Sequence, residues 1–213
     1  MEDRLDTQED FAAAVEALSA TCPVMADVVA LTGVPQIRRR EPGFNGLLRI
    51  VVGQQLSIHA AAAIFRRLEA GGCLTPEAFA EGDHAVLRGC GLSGPKIRTL
   101  VAASQAVLEG RLSIETLDVT DRALVHDQLT AVTGIGPWTA DIFLLFCLGH
   151  PDVWPAGDIA LQAAVGMAHG LGGRPSADEA AAIAARWSPW RSSAAQLMWA
   201  YYGKVLNRKA LPA

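Results

Sequence analysis

The chain predicts an all-α fold. Half of its 213 residues are apolar (51%) while only 6% are aromatic, and the excess is alanine and leucine, which favour helix over sheet. Helix-capping signals recur along the chain, whereas the alternation of apolar and polar residues that marks strands is nearly absent. A chain of this length can bury a sizeable core, as one domain or as two lobes sharing a cleft.

Thr75-Pro76 supplies a cap with proline at the first helical position. From Pro95 to Glu109 the residues Ile97, Leu100, Val101 and Leu108 line one face, and Gly110 ends the helix. Leu92-Ser93-Gly94-Pro95-Lys96, just before it, has the form of a second, simpler hairpin. Leu124, Val125, Leu129 and Val132 recur near helical spacing up to Val132-Thr133-Gly134-Ile135-Gly136-Pro137-Trp138-Thr139-Ala140, and Ile142 to Leu148 form an apolar run that reads as a buried helix. The segment is helix, tight turn, helix. Its two glycines permit φ > 0 and a close approach to the main chain, and the second helix opens with unpartnered N–H groups that can bind an anion. Downstream, Val153-Trp154-Pro155-Ala156-Gly157-Asp158 leads into a helix over Ile159 to Ala168, and Asp158 is placed to cap it. Ser176-Ala177-Asp178-Glu179 is a capping box, and Ser188-Pro189 repeats the cap-and-proline pattern.

Composition narrows the classes. No apolar run approaches the roughly 20 residues that span a bilayer, and Met1-Glu2-Asp3-Arg4 is an acidic start rather than a signal peptide. The expectation is a cytoplasmic protein, nucleoid-associated if bacterial, with no membrane partner. Cys22, Cys73, Cys90 and Cys147 form no C-x-x-C pair and read as reduced core residues. The five histidines, His59, His84, His126, His150 and His169, have no paired ligand spacing, so no metal site is expected. A net charge of −4 argues mildly against nucleic acid, but one basic face is enough for a protein that grips a few phosphates through backbone amides. Arg38-Arg39-Arg40, Arg49, Lys96, Arg98, Arg191 and Lys204 are the candidates for it, the triplet reading sooner as a solvated loop than as a phosphate contact.

Gly-Ile-Gly-Pro-Trp-Thr-Ala with the downstream Pro-Ala-Gly-Asp resembles the helix-hairpin-helix plus Gly/Pro-Asp signature of the DNA glycosylase superfamily, in particular its 3-methyladenine DNA glycosylase II branch. Ile50-Val51-Val52-Gly53-Gln54-Gln55-Leu56-Ser57 with Ala60 to Arg67 resembles the helix-loop-helix that carries that branch's DNA-penetrating residue. Trp187-Ser188-Pro189-Trp190-Arg191-Ser192-Ser193-Ala194-Ala195 through Trp199 resembles its last helix. The resemblance covers roughly residues 45–205, with the motifs in family order. Alone, a Gly-x-Gly after a helix marks a C-cap, and Asp158 marks an N-cap; the ordered set turns both toward function. A capping carboxylate is also fixed in direction, so the two readings of Asp158 do not compete.

The resemblance implies two helical lobes with the active site in the cleft between them: a barrel lobe over 45–150, and a second lobe from 1–44 with 151–213. Some relatives carry a β-rich N-terminal domain or a four-cysteine iron–sulfur loop; neither is expected here, and nothing after Cys147 supplies the cysteines of the loop. The resemblance further implies a monofunctional glycosylase acting on alkylated purines such as 3-methyladenine and 7-methylpurines in double-stranded DNA, as a monomer without an obligate protein partner. Gln55, with Leu56 beside it, falls on the wedge that fills the gap left by a flipped base. Gly134, Ile135, Gly136 and Thr139 fall on the DNA-backbone contact. Trp138 and Trp199 match base-pocket tryptophans, and Asp158 is the carboxylate that stabilises an oxocarbenium ion and orients water. Asp141 and Asp152 are weaker candidates off the motif position. Ile142 departs from an aromatic found at this place in some alkylbase enzymes, and Gly157 from a second acidic residue. Strand-cleaving relatives carry a Schiff-base lysine where this chain has Trp138, and an indole cannot form an imine. The expected cofactor set is empty, apart from a monovalent cation held by the hairpin carbonyls of Thr130, Val132 and Ile135. Two other classes remain open, a glycosylase for a neutral lesion such as uracil or hypoxanthine, and a non-catalytic helix-hairpin-helix module.

Overall fold

The computed structural model describes residues 4–119 and 121–206, so Met1 to Asp3 of the acidic start lie outside it. Every regular element among the described residues is helical: α1 (Gln8–Thr21), α2 (Pro23–Thr32), α3 (Gly43–Gly53), α4 (Ile58–Ala70), α5 (Pro76–Ala80), α6 (His84–Gly89), α7 (Gly94–Leu108), α8 (Arg122–Thr130), α9 (Pro137–Phe146), α10 (Ile159–Ala168), α11 (Ala177–Ala184) and α12 (Arg191–Val205), with 3₁₀ turns at Ile114–Val119 and Ala185–Trp187. No helix among them is long and apolar enough to cross a membrane.

Local chemistry sets most boundaries. Thr75 accepts from the Ala78 N–H ahead of Pro76, and Ser176 and Glu179 close a reciprocal capping box. Gly110, at φ +72, follows α7 in the left-handed conformation that ends helices. Ser188 departs from expectation. Its hydroxyl donates to Asp152 Oδ2 at 2.9 Å instead of capping, and α12 begins three residues later with Trp190 at its cap.

The described chain divides into two units. One comprises residues 4–39 with 149–206, the other residues 40–148. In the first, α12 packs on α10, α2 and α1, and α10 on α11. The α12 stretch Ser192–Trp199 is buried throughout, and it takes the large apolar side chains Leu197, Met198 and Trp199 out of water. In the second, α3 is the central element, packed on α4, α7 and α9, while α8 pairs with α9. The four cysteines are free thiols, and Cys73, Cys90 and Cys147 are buried. Burial, with the neighbouring Cys90 behind it, pushes the Cys73 thiol above its ordinary range.

Candidate active site and DNA-contact elements

In the first unit, the segment 150–158 is held against α12. Ser192 donates to the His150 carbonyl at 2.6 Å and accepts the Val153 N–H at 3.0 Å, while its own N–H meets the Pro151 carbonyl at 2.9 Å. Arg191 grips Asp152 with two parallel bonds, Nε to Oδ1 at 2.6 Å and Nη2 to Oδ2 at 2.7 Å. The tight turn that follows (Ala156 N–H to Trp154 O, Asp158 N–H to Pro155 O, both 2.9 Å) delivers Asp158 to the start of α10. Gln162 Nε2 closes back on the Ala156 carbonyl at 2.8 Å.

Asp158 is 8% exposed. Its Oδ1 accepts the Leu161 N–H at 2.9 Å and the Trp199 indole N–H at 3.2 Å. Two donors from two helices converge on one oxygen, which fixes the carboxylate's direction more tightly than a cap alone. Such an anchored negative charge can stabilise a cation developing beside it, because no reorganisation is needed as the charge appears.

Trp199 itself is 0% exposed. Matched to a base-pocket tryptophan, it is closed off from solvent here, and its indole N–H donates to Asp158. Trp187, read as core, is core: it lies edge-on to Trp154 with centroids 5.2 Å apart.

Asp152 is occupied by Arg191 and Ser188, which separates it from Asp158 as a candidate catalyst. Burial pushes its carboxyl up, but hydrogen bonds from Arg191 and Ser188, with the arginine's charge, outweigh that and hold it below the ordinary value of 3.8. Since the folded value is depressed, the stabilisation is present above pH 3.8 and lost as pH falls through the folded value. Asp152→Asn is therefore expected to cost about 1–3 kcal/mol at pH 7, between an exposed and a fully buried ion pair. Urea midpoints of the two proteins should converge below pH 4, and a gap constant down to pH 2.5 would contradict this origin.

The second unit carries the hairpin. After α8, Val132 donates to Leu129 O at 3.1 Å and Ile135 to Val132 O at 3.0 Å, and Val132 and Ile135 are buried. Gly134 turns the chain at φ +91 against Thr99 of α7. Gly136 caps α9, its carbonyl accepting the Thr139 and Ala140 N–H groups at 2.9 and 3.2 Å. The buried Val132 and Ile135 alternate with exposed Thr133, Gly134 and Gly136, so the turn is pinned from below and presents backbone above. Of the four residues expected on this contact, Gly134 and Gly136 are exposed. The side chains of Ile135 and Thr139 are buried, and the Thr139 hydroxyl accepts from Gln54 Nε2 at 2.9 Å. Trp138 is half-buried on the first turn of α9, and Asp141 lies 3.9 Å from His126.

Between α3 and α4, Gln55 and Leu56 are exposed, and Gln55 has φ +57, the one positive φ at a non-glycine among the described residues. Ser57 caps α4.

The basic residues are less available than their sequence suggests. Arg191 is committed to Asp152 and Arg39 to Asp6 at 2.8 Å, while burial depresses the Arg38 guanidinium. Arg38 to Arg40 are half-buried rather than a solvated loop, and Lys96 reaches inward to backbone carbonyls. Arg49, stacked 3.5 Å over the Phe65 ring, stays exposed, as do Arg98 and Lys204. The roles of Gln54, Lys96 and Ser192 were invisible in sequence, because each rests on a partner distant in the chain.

Residues 48–189 match the family described as HhH-GPD superfamily base excision DNA repair protein. The chain belongs to that superfamily. It is 31% identical over 169 residues to DNA-3-methyladenine glycosylase 1 of Schizosaccharomyces pombe, covering 76% of this chain and 73% of the relative. It is also 31% identical over 165 residues to the Bacillus subtilis protein named putative DNA-3-methyladenine glycosylase YfjP, covering 73% of this chain and spanning 58% of that longer relative. Among solved structures, Schizosaccharomyces pombe 3-methyladenine DNA glycosylase in complex with abasic DNA superposes with a TM-score of 0.79 at 30% identity, over 88% of this chain and 95% of the other.

Proposed function

We propose that this protein is a monofunctional DNA glycosylase that flips alkylated purines from duplex DNA and hydrolyses their N-glycosidic bond. The observation that carries the reading is Asp158, a carboxylate at the start of α10 whose Oδ1 is held by the Leu161 and Trp199 N–H groups. Relatives named for 3-methyladenine supply the substrate class.

Alkylation at N3 or N7 makes the base a cation, so it departs as a neutral molecule and needs no proton from the enzyme. As the bond from C1′ breaks, its electron pair leaves with the base and positive charge develops on the sugar, where Asp158 stabilises it. Water adds to C1′, and its proton passes to Asp158 or to solvent. Trp138, half-buried on the first turn of α9, falls on a base-pocket position of the family, where a cation–π contact to a cationic base contributes about 0.5–2 kcal/mol. Gly134 and Gly136 present backbone to phosphate, and Gln55 with Leu56 fills the vacated stack. The carbonyls of Thr130, Val132 and Ile135 would hold a monovalent cation; that of Val132 already accepts the Ile135 N–H and retains a second lone pair. When bound, such an ion adds positive charge near the clamped phosphate. The working form is a monomer on double-stranded DNA in the cytoplasm or nucleoid.

Duplexes carrying 3-methyladenine, 7-methylguanine or uracil test the reading in one assay. Free alkylated purine should appear, uracil should stay in place, and the abasic strand should remain intact until alkali is added. Borohydride should trap no covalent adduct, because Trp138 stands where strand-cleaving relatives carry lysine. A trapped adduct would overturn the monofunctional assignment, and release of uracil alone would overturn the substrate class.

A further inference from the structure

The loop between α3 and α4 is held from two sides. Helix α3 ends at Gly53, leaving terminal carbonyls without helical donors. Lys96, in the first turn of α7, spans this end: its Nζ donates to Val52 O at 2.7 Å and to Gln54 O at 2.9 Å. The Gln54 side chain is held as well, Nε2 donating to the Thr139 hydroxyl on α9 at 2.9 Å. Gln54 is thus tied through main chain and side chain to two different helices. The next residue is Gln55, in the left-handed conformation that β-carbon-bearing residues rarely adopt and that persists only where its surroundings impose it. Leu56, 37% exposed, donates back to Gly53 O at 3.2 Å, and Ser57 starts α4.

We infer that Lys96 is a positioning residue for the DNA-penetrating loop, its ammonium clamping the Val52 and Gln54 carbonyls so that Gln55 is presented as a rigid wedge. This rests on the reading of Gln55 as the wedge. An ordinary lysine at a helix C-terminus lies on the surface and interacts with the final carbonyls from water. Lys96 differs in that it bridges both sides of Gly53 and abuts the strained residue. Burial also lowers its pKa, as expected of an ammonium partly withdrawn from water. Rigidity matters because a side chain entering a base stack must transmit force to the bases, and a loop that yields would relax instead of opening the pair. Lys96, a candidate for the basic face by its charge, is by its geometry a brace.

The test compares single-turnover release of 7-methylguanine from a normally paired site and from a one-nucleotide bulge, where no pair has to be opened and no gap remains to be filled. Lys96→Met should slow the paired substrate by about tenfold or more and the bulged one by less than about twofold. On a Gln55→Ala background the same change should cost less than about twofold, since the wedge it supports is already gone. Lys96→Arg, which keeps paired donors, should recover most of the rate. Amide exchange at 53–57 should quicken in Lys96→Met, or in Lys96→Gln if the Met variant folds poorly. A wild-type rate on the paired site, equal losses on both substrates, additivity with Gln55→Ala, or unchanged exchange would each overturn the brace. If Gln55→Ala is slow while Lys96→Met is not, the wedge stands and the brace falls; if Gln55→Ala keeps the wild-type rate, the wedge itself falls.

Discussion

Asp158→Asn is expected to fold with nearly wild-type stability, to bind damaged duplex, and to release base at least about 10²-fold more slowly, the scale seen when a group aimed at transition-state charge is removed. Asparagine preserves the anchoring of the side chain. Its Oδ1 can still accept the Leu161 N–H that caps α10 and the Trp199 N–H, so geometry is retained while the charge is lost. Alanine would confound the result, removing about 1 kcal/mol of capping and leaving the buried Trp199 indole without this acceptor. Melting temperature, duplex affinity and single-turnover release on the same preparation separate the roles. Release near the wild-type rate from a folded Asp158→Asn variant would remove Asp158 from the chemistry.

What could be read in the sequence is what is decided within about four residues, the reach of caps and turns. The caps at Thr75, Ser176 and Asp158, the stop at Gly110 and the buried helix after Gly136 each depend on neighbours in the chain, and the structure reproduces them. The all-α class follows from such signals summed along the chain. The supports of the candidate site depend instead on which faces of distant helices meet. Trp199 reaches Asp158 across 41 positions and Lys96 reaches Val52 across 44. Sequence marks these residues by type, Trp199 as a base-pocket aromatic and Lys96 as a candidate for the basic face, and it does not reveal that the Trp199 indole donates to the carboxylate or that Lys96 Nζ meets the Val52 and Gln54 carbonyls. Ser188 shows the same competition in miniature: the cap-and-proline pattern is present, but the hydroxyl is taken by Asp152. Tertiary partners override local propensity where a loop must be held against a helix.

The two hairpin glycines are expected to fail in different ways. Gly134 has φ +91, and a β-carbon there would run into the Thr99 hydroxyl and approach Thr99 Cβ to 3.0 Å. Alanine must strain the backbone and displace a β-branched side chain with little rotamer freedom, so Gly134→Ala should destabilise the protein by about 2–4 kcal/mol. Gly136 has φ −92, and a β-carbon there meets nothing within 4 Å. Gly136→Ala and Gly136→Val should therefore melt close to wild type, yet each places carbon where a phosphate would approach the backbone. Affinity should fall about tenfold for alanine and further for valine, equally on damaged and undamaged duplex, because phosphate contacts carry no base information. Log affinity against log salt should change little in slope, since the lost contacts are to amides rather than to lysine or arginine. Wild-type affinity in Gly136→Val would remove the phosphate-clamp reading of the hairpin. A loss confined to damaged duplex would place Gly136 in base recognition instead.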